Sequence, residues 1–110
     1  MDCMIKRRLN PPAAPVYTVT VTGRGASPGS SALLAGVTAD SVTYSSAGTF
    51  ELKAGKSFIV TVNGSKSYVK LNGTKVHSGA GSYTYTPSGD CTVNLATMPS
   101  LGYGWAEITA

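Results

Sequence analysis

The 110-residue chain has few charged residues, few cysteines and one histidine. Charged residues make up 13% of it, well below the usual share in soluble proteins, which is about a quarter. Two cysteines, Cys3 and Cys91, are too few for a disulfide framework or a zinc site, and His77 has no second histidine with which to share a metal. We therefore expect no cofactor and no metal.

Motifs for catalysis are also missing. No G-x-S-x-G nucleophile motif occurs, and the five acidic residues are scattered, with no close pair suited to glycoside hydrolysis. The Gly23-Arg24-Gly25 loop resembles a phosphate-binding loop only superficially, because no helical pattern follows it. We expect the protein not to be an enzyme.

Membrane-spanning segments and export signals are absent as well. No stretch is long and apolar enough to span a bilayer, and no apolar run of secretory length follows Lys6-Arg7-Arg8. We expect no membrane partner and no export signal. The net charge of +4 is modest and partly concentrated near the N-terminus, so it does not favour nucleic acid as a partner. Free thiols are expected, with a Cys3–Cys91 bridge as the alternative.

Alternation typical of β-strands dominates the rest of the chain. Residues 16–22, VYTVTVT, place Tyr17, Val19 and Val21 on one side and threonines on the other. The same period of two recurs downstream at a spacing typical of sandwiches, and no segment shows a capped helical period. We predict one all-β domain over residues 16–110, a β-sandwich of about eight short antiparallel strands.

Two Asn-Gly pairs, Asn63-Gly64 and Asn72-Gly73, are signals for two-residue hairpins. Together they predict a three-stranded antiparallel meander over residues 57–77. In this register all apolar partners share one face. A slip of one residue would distribute their side chains over both faces, so the register is well determined. That face carries Phe58, Val60, Val62, Val69, Leu71 and Val76.

The opposite face of the meander is a candidate contact surface. It carries Lys66, Tyr68, Lys70, Lys75 and His77. Lys70 and Lys75 are predicted to lie directly opposite each other, a like-charge pairing that costs some stability. The face is either a solvated surface that discourages aggregation or a contact for an acidic partner or an anionic glycan. Its one tyrosine is a poor platform for single-stranded nucleic acid.

Residues 1–15 form a separate basic and Pro-rich segment. Because proline removes backbone donors and favours extension, we predict an extended N-terminal arm outside the sandwich. It is either a frayed terminus or a strap that docks on a neighbouring subunit. The candidate assembly residues of the arm are Lys6, Arg7, Arg8, Pro11 and Pro12.

The single tryptophan, Trp105, has two interpretations. Sandwiches commonly bury their only tryptophan, so we expect Trp105 to pack in the core. The alternative is an exposed contact for a ligand, together with Tyr68 and Tyr103 and the nearby lysines.

One segment resembles bacterial surface β-repeat modules, in which an "aGxxxxxxV" strand, a "vNGxxV" hairpin and a "YTYT…D.TV.L" pair recur. It is residues 54–95, AGKSFIVTVNGSKSYVKLNGTKVHSGAGSYTYTPSGDCTVNL. Over its whole length the chain is similar to small accessory structural proteins of phages and prophages of Gram-positive gut bacteria. These have an Arg-rich N-terminus, a "YTVTVTG" first strand and an "EIT" ending, positions held here by Lys6-Arg7-Arg8, Tyr17 to Gly23 and Glu107-Ile108-Thr109. The compact Asn63-Gly64-Ser65 link departs from relatives with a longer segment.

The resemblance implies an immunoglobulin-like sandwich with no catalytic residues to transfer. It implies a non-enzymatic virion structural protein that decorates the capsid or tail and is made in the cytoplasm of the host bacterium. The expected partners are other virion proteins, further copies of the chain in a homo-oligomer or multi-copy assembly, and a host-surface glycan. The alternative function is a carbohydrate- or cell-surface-binding module. Head or tail placement, symmetry, ligand and strand order stay open.

Overall fold

The computed structural model describes residues 15–26, 33–98 and 100–110. These ranges contain no helix, and so none that is long and apolar enough to cross a membrane. They contain ten strands: β1 (Val16–Arg24), β2 (Ala35–Ala39), β3 (Val42–Tyr44), β4 (Ser46–Lys53), β5 (Phe58–Val62), β6 (Tyr68–Leu71), β7 (Thr74–Ser78), β8 (Gly81–Tyr85), β9 (Cys91–Met98) and β10 (Tyr103–Thr109). The predicted all-β class is confirmed.

The strands form two sheets that share one core. The larger sheet has the order β4-β1-β9-β10-β6-β7, and the smaller one the order β3-β2-β5-β8. Neighbouring strands are antiparallel except in two pairs, β1 with β9 and β6 with β10, which are parallel. The expectation of purely antiparallel strands is wrong for these pairs. Alternation shows which side of a strand is buried, but it carries no information about the partner or its direction.

The described ranges hold more strands than the eight expected, partly because of a short hairpin, β2–β3. Its turn lies at Asp40-Ser41, where both residues have positive φ, 48° and 67°. Two positive φ values are the geometry of a tight two-residue hairpin turn. Neither residue is glycine, so the sequence carries only a weak signal for this turn.

Apolar side chains from both sheets meet at Phe58. The side chain of Phe58 is fully buried. Its ring meets Phe50 of β4 with centroids 6.0 Å apart and Tyr85 of β8 with centroids 5.7 Å apart, both edge to face. Because β4 belongs to the larger sheet and β8 to the smaller one, this aromatic group joins the two layers.

The hairpin predicted at Asn72-Gly73 is confirmed. Asn72 and Gly73 have φ of 50° and 85°, and Leu71 pairs with Thr74. The backbone N–H of Asn72 donates to the Ile108 carbonyl at 2.8 Å. The turn therefore also holds the end of β10, which helps to align β10 parallel to β6.

The hairpin predicted at Asn63-Gly64 is wrong. β5 pairs with β2 and β8 in the smaller sheet, whereas β6 lies in the larger one. Asn63 Nδ2 donates a 2.6 Å hydrogen bond to the Leu33 carbonyl, and the Asn63 backbone N–H donates to the Leu34 carbonyl at 3.0 Å. These bonds hold Asn63 against the segment before β2, so the chain arches between sheets instead of turning back.

The apolar residues assigned to one face of the meander nevertheless lie inside the protein. Those fully buried are Phe58, Val60, Val62 and Val69, and those packed partly buried against the core are Leu71 and Val76. The buried side was predicted correctly for β5 and β6, although these residues come from two facing sheets and not from one.

Candidate binding surface on the six-stranded sheet

The outward side of β6, β7 and β10 forms the candidate binding surface. In β10, Ala106 and Ile108 are fully buried, so the side chains that alternate with them point outward. In β6, Val69 is fully buried, and its neighbours Tyr68 and Lys70 point outward for the same reason.

Three aromatic side chains, Tyr103, Trp105 and Tyr68, are in contact on this face, and we call them the aromatic row. Trp105 and Tyr68 are partners across β10 and β6, and their stacked rings have centroids 5.8 Å apart and planes 15° apart. The ring of Tyr103 lies 5.9 Å from that of Trp105. All three are half-buried. The expectation that Trp105 packs in the core is wrong, because its neighbours in β10 take the inward positions.

Lys70 and Lys75, here called the lysine pair, flank the aromatic row. They are direct partners across β6 and β7, as predicted. Lys70 Nζ lies 5.6 Å and Lys75 Nζ 5.2 Å from the centroid of the Tyr68 ring, close enough for a cation–π interaction. Within the described ranges neither lysine forms an ion pair. Two positive charges thus lie around one ring, and the strand partner of Lys70 on its other side is the acidic Glu107.

Polar side chains occupy the next position along the strands, and we call Thr22, Asn94 and Glu107 the polar row. Glu107 is the partner of Lys70 on one side and of Asn94 on the other. Asn94 Oδ1 accepts a 2.9 Å hydrogen bond from Thr22 Oγ1. Residues on one face of a strand are about 6.7 Å apart. Hydrogen-bonding groups therefore lie directly beside the aromatic row.

Exposed apolar side chains extend the surface at the β9–β10 connection. Met98 is the partner of Tyr103 and is 39% exposed, and Leu101 is 60% exposed. Met98 therefore lengthens the apolar part of the face at the end distant from the lysine pair, and Leu101 lies in the turn that follows.

His77 does not share this face, which corrects the prediction. A bulge at Val76 lies between the pairs Lys70–Lys75 and Val69–His77. The extra residue moves His77 to the side of the buried Val69. There its Nε2 atom is buried and makes no hydrogen bond within the described structure.

Of the remaining candidate residues predicted from the sequence, the structure describes Lys66 but only the last residue of the N-terminal arm. Lys66 is exposed in the turn between β5 and β6. The candidate assembly arm, residues 1–15, is described only at Pro15. Its assembly role stays a prediction, because the candidate residues lie outside the described ranges: Lys6, Arg7, Arg8, Pro11 and Pro12. Cys3 lies outside them as well.

Cys91 is a buried free thiol at the start of β9. Burial raises the pKa of this thiol, and the neighbouring Asp90 carboxylate raises it further. Little thiolate forms near neutral pH under these conditions, so Cys91 has the properties of a structural cysteine and not of a nucleophile.

Asn94 and Glu107 are among the members of the surface that were missed from the sequence. Alternation in β9 and β10 does indicate that both point outward. Glu107 lies beside Lys70, however, only because β10 and β6 pair in parallel over a long sequence separation. No local pattern reports such a pairing.

The candidate surface is an open sheet face. In the part of the chain that the structure describes, no pocket and no group of three metal-ligating side chains is found. No protein-family model, curated protein or solved structure matches the chain.

Proposed function

We propose that the chain is a non-enzymatic β-sandwich module that binds cell-surface carbohydrate through the aromatic row and the lysine pair. The aromatic row is the observation that supports this function best. Sugar rings have apolar C–H faces that pack on aromatic side chains, and hydroxyls that need hydrogen-bond donors and acceptors. The aromatic row and the polar row offer both kinds of group on one sheet face.

Binding can be tested with Trp105, the only tryptophan of the chain. We expect a bound oligosaccharide to shift its fluorescence emission and to protect it from iodide quenching. Trp105→Ala should weaken binding at least tenfold, since stacking on one aromatic side chain is worth roughly 1–3 kcal/mol for nucleobases. Affinity is measured on a glycan array and by calorimetry.

Ile59→Ala is the matched control for this test. Ile59 is 40% exposed and lies on the outward side of β5, in the other sheet. Its truncation should leave binding unchanged. The proposal fails if no glycan on the array loses binding to the Trp105→Ala chain.

A second proposal concerns the setting in which the module works. We infer an immunoglobulin-like accessory protein of a phage virion, which decorates the head or tail and assembles through residues 1–15. The resemblance of the whole chain to small accessory structural proteins of phages and the two-sheet all-β fold support this inference. In this setting the ligand is a glycan of the host surface, and the partners are other virion proteins and further copies of the chain.

Deletion of residues 1–14 should abolish incorporation into virions without unfolding the sandwich. Pro15 is kept because its carbonyl accepts a 2.8 Å hydrogen bond from the Ala54 N–H. Virions produced without the chain are mixed with the full-length or the shortened protein and separated by sedimentation. Equal melting temperatures serve as the control for folding. Equal incorporation of both proteins, or of neither, would contradict assembly through the arm.

A further inference from the structure

We propose, building on the carbohydrate-binding function above, that the ligand is an acidic polysaccharide. In this arrangement the lysine pair holds the carboxylate of a uronate sugar while a neighbouring sugar ring packs on the aromatic row. The inference thus assigns an anion subsite to Lys70 and Lys75 and names the chemical class of the ligand.

The charge of the lysine pair is the first argument. Both ammonium groups lie within 5.6 Å of the Tyr68 ring centroid. Glu107 is the strand partner of Lys70, but within the described ranges neither ammonium group has a carboxylate oxygen within the 4.0 Å of an ion pair. Like charges directly opposite each other in a sheet are destabilising. A carboxylate that binds both ammonium groups removes this repulsion and forms charge-assisted hydrogen bonds. Lys75 is exposed and Lys70 half-buried, so a ligand can reach both.

The position of Glu107 is the second argument, because it distinguishes classes of anionic ligand. Glu107 lies beside Lys70, so the face is negative on β10 and positive on β6 and β7. A polysaccharide with an acidic sugar at every second position can place its carboxylate on the lysine pair and its hydroxyls on Glu107 and Asn94. Single-stranded nucleic acid carries a phosphate at every nucleotide and brings negative charge to Glu107 too.

The length of the surface is the third argument. Asn94, Glu107, Lys70 and Lys75 lie on four adjacent strands, β9, β10, β6 and β7. Adjacent strands are about 4.8 Å apart, so these residues span about 14 Å across the sheet. This span suits an oligosaccharide and exceeds a single sugar.

The experiment compares acidic oligosaccharides with neutral forms of the same backbone. Oligosaccharides of hyaluronan, unsulfated chondroitin and heparosan, in which a uronate alternates with a neutral sugar, are each paired with a derivative whose carboxylates are reduced to primary alcohols. Binding to the full chain is followed by Trp105 fluorescence. We expect at least one acid to bind about tenfold tighter than its reduced form, as two exposed ion pairs allow. The difference should shrink as salt screens the charges.

Two double variants distinguish a specific anion subsite from a general effect of the net charge of the chain. Lys70→Gln/Lys75→Gln should lose the preference for the acid, whereas Lys53→Gln/Lys56→Gln, with the same change in net charge, should keep it. Lys53 and Lys56 are both exposed, at the end of β4 and in the turn after it.

The possible failures can be told apart. If reduced or other neutral oligosaccharides bind as tightly as the acids and only Trp105→Ala weakens binding, the acidic ligand is wrong and the carbohydrate function stands. If no carbohydrate binds, both proposals are overturned. Tighter binding of an oligothymidylate than of every oligosaccharide overturns the inference in favour of nucleic acid.

Discussion

Replacing Phe58 with alanine is expected to lower the free energy of unfolding by about 3–5 kcal/mol. The Phe58 side chain is fully buried, and its ring contacts Phe50 of the larger sheet and Tyr85 of the smaller one. Truncation removes this apolar contact and leaves a cavity between the layers. Because the flanking rings belong to different sheets, they can fill it only in part. Urea unfolding followed by circular dichroism measures the loss.

Two further variants make the Phe58 result interpretable. Ile59→Ala changes the adjacent residue, which is 40% exposed, and should cost less than about 1 kcal/mol. Phe58→Leu keeps much of the buried volume and should cost about 1–2 kcal/mol, which gives a measurable value if the alanine variant does not fold. Unfolding of Phe58→Ala at the same urea concentration as the unchanged chain would contradict this account of the core.

Gly25→Ala should lower the free energy of unfolding by about 3 kcal/mol or more, although it adds a single methyl group. Gly25 is buried, and an added Cβ would collide with the backbone carbonyl oxygen of Ala35. The backbone cannot easily move away. The Gly25 N–H donates to the Ser45 carbonyl at 2.7 Å, and the Gly25 carbonyl accepts from the Leu34 N–H at 2.8 Å. Thermal and urea unfolding measure the effect.

Gly89→Ala is the matched control for Gly25. A Cβ at Gly89 would meet no atom within 4 Å, and its φ lies outside the left-handed range. Its replacement should change stability by less than about 0.5 kcal/mol, or stabilise slightly through the lower entropy of the unfolded chain. If both variants unfold alike, the close contact of Gly25 with Ala35 has no energetic importance.

Part of the candidate surface could be predicted from the sequence. Asn72-Gly73 determines a local turn, and this turn places Lys70 opposite Lys75 because they lie at equal distances from it. Counting residues from the same turn also placed His77 on the face of Lys70 and Lys75, and this prediction is wrong. The bulge at Val76 adds one residue to β7, and every side chain after a one-residue shift points to the opposite side.

The aromatic row depends on contacts between distant parts of the chain. Tyr68 and Trp105 each stand out in the sequence as aromatic residues within an alternating strand. Their stacking requires β6 and β10 to pair in parallel, and the arch at Asn63 places β6 in the larger sheet. A local turn signal cannot distinguish a hairpin from such an arch, since both need the chain to change direction.

By itself, the sequence determined the all-β class, the buried side of strands such as β1, β5 and β6, and the turn at Asn72-Gly73, because these follow from alternation and from the φ preferences of a few residues. The tertiary structure alone decided which strands share a sheet, which pairs are parallel, and that His77 points inward while Trp105 points outward. Strand pairing uses backbone hydrogen bonds that nearly every residue can form, so partners are selected by packing of the whole chain and not by any local pattern.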